Sequence, residues 1–248
     1  MIPKPFVIIQ LRPENETSDN EFQSFLKYGK LNVNDVKRIR AERNGIPDIN
    51  LKNYSAIMVG GSPFDISTPE NKKSEIQKKI EKDFKKLLDK IIQNDFPFIG
   101  ACSGSGILGN HCGAKITSKY SEPVGGVDIE ITDVGKKDFL LQGFPSSFRA
   151  LVGHKEACEN VPKNAVLLAS SKTCPVQMYR IKNNIYATQF HPEADTQAFI
   201  LRIKTYKNYG YFPPENAEKL IESIKHEVIT EPKKILERFV LKYKKMQS

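Results

Sequence analysis

The 248-residue sequence predicts an α/β fold with a central, mainly parallel sheet, an antiparallel extension and a helical C-terminal tail. Three observations predict it. Up to residue 101, short apolar runs alternate with a long amphipathic segment; between residues 127 and 190 the runs become short and closely spaced; after Asp195 helical spacing returns, interrupted by prolines.

Taken in order, Phe6 to Leu11 reads as a buried strand, Glu21 to Leu26 opens a helix, and Ser55 to Val59 reads as a second or third parallel strand. The segment Ser74 to Gln93 carries Ile76, Ile80, Phe84, Leu87, Leu88, Ile91 and Ile92, which is the spacing of one helical face. It feeds a strand at Phe96 to Ala101, so strand, helix and strand succeed one another as a right-handed parallel crossover requires. Beyond Ile107 the runs Val127 to Thr132, Phe148 to Val152, Val166 to Ala169, Val176 to Ile181 and Ile185 to Phe190 read as a mostly antiparallel extension. In the tail, Pro213-Pro214 separates a helix at Thr196 to Tyr209 from one at Glu215 to Val228, and Pro232 precedes a last basic helix. There is no internal repeat, and Tyr209 to Pro214 is the one stretch with linker character.

Composition narrows the function classes. With 39% apolar residues the chain can bury a full core. Its four cysteines, at 102, 112, 158 and 174, form no Cys-x-x-Cys pair, which predicts a reducing, cytoplasmic setting. No metal-ligand spacing and no phosphate-binding loop is evident, so neither a metal nor a cofactor is expected. The apolar run near the N-terminus is too short for a signal sequence, and nothing approaches a membrane span. The net charge of +9 comes from lysines at Lys72 to Lys90 and Lys233 to Lys245, interleaved with acids. Solvated helix faces account for them, and a nucleic-acid or membrane partner is not expected.

Chemistry concentrates at Cys102, in Phe96-Pro-Phe-Ile-Gly-Ala-Cys-Ser-Gly-Ser-Gly106, where an apolar strand runs into a glycine-rich turn. Glycines at 100, 104 and 106 suit a sharp strand-to-helix turn, and a following helix directs free N–H groups at whatever the sulfur attacks. A thiol at a helix N-terminus is expected to be partly thiolate, below its free pKa of about 8.5. A cysteine nucleophile needs a base with an orienting group, and Gln189-Phe-His-Pro-Glu193 supplies both: His191 to move the proton and Glu193 to hold the ring. A buried cysteine at a strand end is usually only packing; the glycine turn together with His-Pro-Glu favours a triad of Cys102, His191 and Glu193. Cys112, Cys158 and Cys174 read as structural, and His111 and His226 as surface or core residues without chemistry.

Gly-Ala-Cys-Ser-Gly followed much later by Gln-Phe-His-Pro-Glu resembles the class I, triad-type glutamine amidotransferases. Tyr54-Ser-Ala-Ile-Met-Val-Gly-Gly-Ser-Pro63 resembles that family's oxyanion strand. Leu151-Val-Gly-His-Lys-Glu156, Pro162, Leu168-Ala-Ser-Ser171 and Cys174-Pro175 follow in the family's order, so that roughly residues 5 to 200 are covered. Within the family the chain is most similar to stand-alone members related to the glutaminase domain of GMP synthase. The resemblance implies a flavodoxin-like three-layer fold, with residues 1–200 as the catalytic domain and 201–248 as a helical extension packed on it. It also implies Gly60, Gly61 and Ser103 as the oxyanion site and His154 near the substrate, although a lone histidine after a strand is more often structural. The implied reaction is hydrolysis of glutamine to glutamate and ammonia through a Cys102 thioester.

The chain departs from the family four residues after the nucleophile, where a substrate-binding glutamine is usual and Gly106 stands here, beside Ser105 in place of a larger residue. The substrate is therefore either glutamine or another γ-glutamyl compound. The stretch after Glu193 is too short for an ATP-binding synthetase, so an ammonia-accepting synthetase is expected on a separate chain. Three alternatives stay open. One is a γ-glutamyl hydrolase or peptidase with the same triad, and another a non-catalytic binding module on a retained fold. The third is an α/β-hydrolase with a cysteine elbow, a fold that separates its acid from its histidine.

Overall fold

The computed structural model describes residues 4–244. Among the described residues each strand expected from the apolar runs forms, and three further strands are present, one of them in the same sheet. The first strand, β1 (Phe6–Gln10), shows why the architecture is layered: Phe6 and Ile8 enter one core while Val7 and Ile9 enter another on the opposite face. Period-2 geometry turns one apolar run into two buried faces, which only a sheet covered on both sides can use. Helix α1 (Asn15–Gly29) ends on Lys30, whose left-handed backbone (φ 54°) lets its N–H reach the Leu26 and Lys27 carbonyls. After β2 (Val36–Arg40), the short α2 (Ala41–Asn44) and β3 (Ile57–Val59) comes α3 (Glu75–Gln93). The Ser74 hydroxyl caps α3 by accepting the Gln77 N–H. Its Ile80, Phe84, Leu87, Leu88 and Ile91 fill the core on the Val7/Ile9 face.

Then follow β4 (Phe98–Ala101), α4 (Ser103–His111), β5 (Ile116–Thr117), β6 (Glu122–Ile131), β7 (Ser147–His154), β8 (Ala157–Cys158), β9 (Ala165–Ser170), β10 (Met178–Ile181) and β11 (Ile185–Thr188). The tail is α5 (Thr196–Tyr206), α6 (Ala217–Ile224) and α7 (Glu231–Tyr243). Among the described residues, nine strands make one sheet in the order β2-β1-β3-β4-β11-β10-β9-β6-β7, while β5 and β8 pair separately. The strands from β2 to β11 in that order are mutually parallel, and every pairing from β10 onward is antiparallel. This is the flavodoxin-like α/β sheet with its antiparallel extension. The pairing that matters most joins β4 to β11 in parallel with Ala101 opposite Thr188, so the residues leaving both strand ends emerge side by side.

Helix α5 runs unbroken through residue 200. Helix α7 packs on α1 and β7, while α6 packs on α5 and β6. Ile235, Leu236 and Phe239 of α7 are fully buried in the α1-side core, each such side chain contributing about 2 kcal/mol by its removal from water. Three details differ from the expectations. Helix α1 starts at Asn15 rather than Glu21, because Thr17, Ser18 and Glu21 are buried polar residues that interrupt the apolar pattern. The edge strand β2, which no apolar run signalled, pairs with β1 and carries charges that keep such an edge from pairing with another chain. Pro232 lies within the first turn of α7, where its missing N–H costs nothing. The basic stretches are exposed helix faces with local ion pairs such as Lys78–Glu75 and Lys79–Asp83, although Lys245 lies outside the described residues. Among the described residues no helix is long and apolar enough to cross a membrane.

Candidate active site

Cys102 sits at the junction of β4 and α4 with φ 53° and ψ −103°. A non-glycine residue there costs about 1–3 kcal/mol and persists only where its surroundings fix it. Here they do: the Cys102 N–H donates to the Thr188 carbonyl at 2.8 Å, continuing the β4–β11 ladder, and the Cys102 carbonyl accepts the Gly106 N–H at 3.0 Å, opening α4. A Cβ on Gly100 would stand 2.7 Å from the Gly104 carbonyl group, so the strand and helix backbones touch across the turn. The Ser103 N–H reaches the sulfur, and the Ser103 hydroxyl donates to the Ser62 carbonyl at 3.2 Å. One expectation is overturned. Burial pushes the thiol up to about 11 against a weaker opposing pull from Arg12, the reverse of the lowering expected from the helix N-terminus.

His191 leaves the end of β11 beside it. Its Nδ1 lies 2.7 Å from Glu193 Oε1, both side chains are buried, and Phe199 packs edge-on against the ring with centroids 5.4 Å apart. Arg202 Nη2 donates to the same Glu193 oxygen at 3.1 Å. Burial alone would raise the Glu193 carboxyl, but His191 and Arg202 hold it well below the usual carboxylate range. Burial lowers His191, and Glu193 only partly opposes that. With Nδ1 committed to Glu193, Nε2 is the nitrogen left for the cleft, which His191 and Cys102 line together.

The cleft has two lobes meeting at Ser62, Cys102 and Tyr211. The first is walled by Phe199, Ile203, Tyr206 and Phe212 with Arg12 and Arg202; the second is polar, with Asp65, His154, Lys155, Glu156 and Gln189. Glu156 accepts the N–H groups of Ile66 at 2.6 Å and Ser67 at 2.9 Å, which fixes the loop after β3 over the second lobe. From the tail, the Tyr211 hydroxyl donates to the Ser62 carbonyl at 3.2 Å, and Lys155 lies over its ring at 4.7 Å.

Of the residues singled out in the sequence, Cys102 stands where the lobes meet, with His191 lining the first lobe and Ser103 the second. Gly61 lies against His191, whereas Gly60 faces Glu21. Gly106 lines the second lobe, and a Cβ there would stand 2.9 Å from Ile66 Cδ1, so Ile66 occupies the space a side chain would need. Ser105 is buried and its carbonyl accepts the Tyr179 hydroxyl at 2.7 Å. His154 borders the polar lobe with both ring nitrogens engaged, Nε2 by Glu122 at 2.8 Å and Nδ1 by the Glu156 carbonyl at 3.1 Å. Cys174 comes within 4.8 Å of these Glu122 and His154 donor atoms. Both Glu122 oxygens and both His154 nitrogens already have hydrogen-bond partners, so the arrangement is that of a hydrogen-bonded cluster. Cys158 and Cys174 are buried and pushed up to about 12, which fits inert packing residues. Sequence reasoning missed Arg12, Glu21, Arg202 and Tyr211. The available clue was charge on otherwise apolar faces: Arg12 follows a buried strand, Glu21 adjoins Phe22, and Arg202 adjoins Ile203.

Residues 17–203 match the sequence profile of the family described as Glutamine amidotransferase class-I. A subunit of the glutamine-hydrolysing GMP synthase of Thermoplasma volcanium is 28% identical over 182 residues, covering 73% of this chain and 82% of the relative. The protein of the same description from Sulfurisphaera tokodaii is 29% identical over 144 residues, covering 58% and 69%. Among solved structures, a glutamine amidotransferase from Thermotoga maritima superposes with a TM-score of 0.70 at 20% identity, covering 96% of this chain and 98% of that one. A GMP synthase subunit protein from Thermoplasma acidophilum gives 0.62 at 21% identity, covering 96% and 92%. At those identities the structural likeness speaks for the fold, while the profile match takes in the elbow, the His-Pro-Glu turn and most of α5. The chain belongs to the class-I glutamine amidotransferase family.

Proposed function

We propose that this chain hydrolyses the side-chain amide of glutamine, with Cys102 as nucleophile, His191 as acid and base, and Glu193 as the group that orients His191. The observation that carries this reading is the shared cleft: Cys102 and His191 leave the ends of adjacent parallel strands, and the Nδ1 side of His191 is held by a buried carboxylate. His191 Nε2 takes the thiol proton as the sulfur attacks the amide carbon. The oxyanion of the tetrahedral intermediate is received by the Ser103 N–H and by the Gly61 N–H, and one such donor is worth about 10²–10³ in rate. Collapse breaks the C–N bond, the imidazolium gives its proton to the departing nitrogen, and ammonia leaves. Water then attacks the thioester while His191 takes its proton, releasing glutamate and restoring the thiol.

An ammonia-accepting synthetase chain is the partner this reading assigns, supported by the description of the relatives as one subunit of a GMP synthase. Ile66 against Gly106 favours a second reading of the substrate alone, in which the same chemistry acts on another γ-glutamyl amide. The test is glutamate and ammonia release from L-glutamine by wild type and Cys102→Ala. Turnover is expected in the first and a fall of at least about 10⁴-fold in the second. Equal turnover in both would remove Cys102 from the mechanism, and wild-type turnover of γ-glutamyl amides but not glutamine would select the second reading.

A further inference from the structure

Behind the cleft runs a chain of buried charges of which the hydrolysis steps above use only His191 and Glu193. His191 Nδ1 meets Glu193 Oε1 at 2.7 Å, Arg202 Nη2 lies 3.1 Å from that oxygen and 3.7 Å from Glu21 Oε2, and Arg12 Nε donates to Glu21 Oε2 at 2.7 Å. These five side chains are between 0% and 8% exposed. Both arginines then line the first lobe, at whose edge Cys102 stands. Two glycines make the room. A Cβ on Gly60 would stand 2.5 Å from Glu21 Oε1, and one on Gly61 would stand 2.6 Å from Arg12 Nη2 and 2.8 Å from His191 Cε1. The Arg12 guanidinium and the His191 ring therefore converge on one face of Gly61.

The signs of these charges give the chain a direction. Arg12, Glu21, Arg202 and Glu193 sum to zero, but the end beside Cys102 is positive and the end on His191 is negative. Moving the proton from Cys102 Sγ to His191 Nε2 places a thiolate in the lobe with Arg12 and an imidazolium against Glu193, which closes a ring of six alternating charges. Low effective dielectric makes such a match worth more than it would be in water. The other polar groups around Cys102 are the Ser103 N–H, the phenol of Tyr211 and, in the second lobe, Asp65, His154, Lys155 and Glu156; Glu193 opposes ionisation of the sulfur and Arg202 favours it, Tyr206 packs against Arg12 at 5.6 Å, and His191 otherwise faces Phe199. Burial opposes ionisation of Cys102, and Arg12 is the strongest influence in favour of it.

We propose that this ring sets the nucleophile: Arg12 is the counter-charge of the Cys102 thiolate, and Glu21 and Arg202 are positioning residues that tie it to the Glu193–His191 end. The inference rests on Cys102 and His191 being the reacting pair. Its test needs no substrate: the pH dependence of Cys102 alkylation by iodoacetamide, with the modified site assigned by mass spectrometry and folding checked by near-ultraviolet circular dichroism. Arg12→Gln should slow alkylation at pH 7 at least tenfold and move its midpoint upward by about one unit, and Arg12→Lys should recover part of that. Glu21→Gln keeps an oxygen to accept the Arg12 Nε–H, so Arg12 stays in place, but removes the negative charge nearest it and should move the midpoint downward, a sign that loosened packing does not predict. If Arg12→Gln unfolds, Arg12→Lys and Glu21→Gln still carry opposite expected signs. An unchanged midpoint in the arginine variants, or movement in the same direction in arginine and glutamate variants, overturns the proposal. Absence of glutamine turnover would sink the glutaminase reading while leaving the alkylation result standing.

Discussion

Two buried histidine–glutamate pairs, His191–Glu193 at 2.7 Å and His154–Glu122 at 2.8 Å, look alike in distance and burial, yet they are built for opposite ends. His154 has both ring nitrogens occupied. Glu122 also accepts Gln177 Nε2 at 2.7 Å, the Ser171 hydroxyl at 3.3 Å and the Thr173 hydroxyl. His191 keeps one nitrogen for the cleft, and Glu193 Oε2, together with Arg202 Nε and Nη1, has no hydrogen-bond partner among the described residues. Buried polar groups are ordinarily satisfied because leaving one unpaired costs about 1–3 kcal/mol. A completely satisfied pair is a fastener, whereas an incompletely satisfied pair stores a capacity that chemistry can use.

The largest expected effect would break or confirm that contrast directly. His191→Asn should lower kcat for glutamine by about 10³-fold, the scale of a lost general acid and base, whereas His154→Asn should cost less than tenfold in the folded fraction. Steady-state kinetics on both variants decides it. A comparable kcat loss at His154 would mean that its place beside the polar lobe outweighs its saturated hydrogen bonding.

Stability should show the reverse ranking. Glu122→Ala leaves His154, Gln177 and Thr173 facing a buried void, which should cost about 3 kcal/mol and lower Tm by roughly 6–12 °C. Thermal unfolding, with activity measured per folded molecule at low temperature, checks both halves. Little change in Tm would show that neighbouring groups re-pair among themselves and that the cluster is not the fastener its geometry describes.

The same contrast explains what was legible in the sequence. Cys102 and the His191-Pro-Glu193 turn stood out because their signals are local: a glycine turn after an apolar strand, and a base two residues from a carboxylate. Their meeting followed from β4 and β11 being strands, and the parallel pairing of Ala101 with Thr188 supplied it. The Glu122 cluster was invisible because its partners come from β6, β7 and the loop before β10, which no pattern along the chain connects. Glu21 and Arg202 were hidden for a different reason. Amphipathic reading assigns a charge to the solvent face, so two ions that neutralise one another inside the protein count twice as surface. The expected start of α1 fell at Glu21 rather than Asn15 for a related reason, since Thr17 and Ser18 are buried polar residues that interrupt the apolar pattern. The fit of Ile66 against Gly106 lies between loops and follows from no spacing at all.

The smallest effect is the most specific to the open pair. Burial lowers His191, Glu193 opposes that, and Arg202 and Arg12 add to it, so the folded histidine holds its proton less tightly than the unfolded one, whose pKa is about 6.5. With His191 as the proposed base, hydrolysis would require it neutral in the free enzyme, and the acid limb of kcat/KM should then have its midpoint below about 6.5, with most of the plateau rate retained at that pH. Linkage gives the matching sign for stability. Between the folded pKa and about 6.5 the unfolded chain binds the proton that the folded chain refuses, so the His191 contribution rises with pH through that window and is lost as pH falls. Glu193→Gln removes the group that raises His191, and the acid limb should move further down even as the plateau rate falls. A limb above about 6.5 in wild type, or an upward move in Glu193→Gln, would mean that the titrating base is a different group and that the pair which looks open is not the one that works.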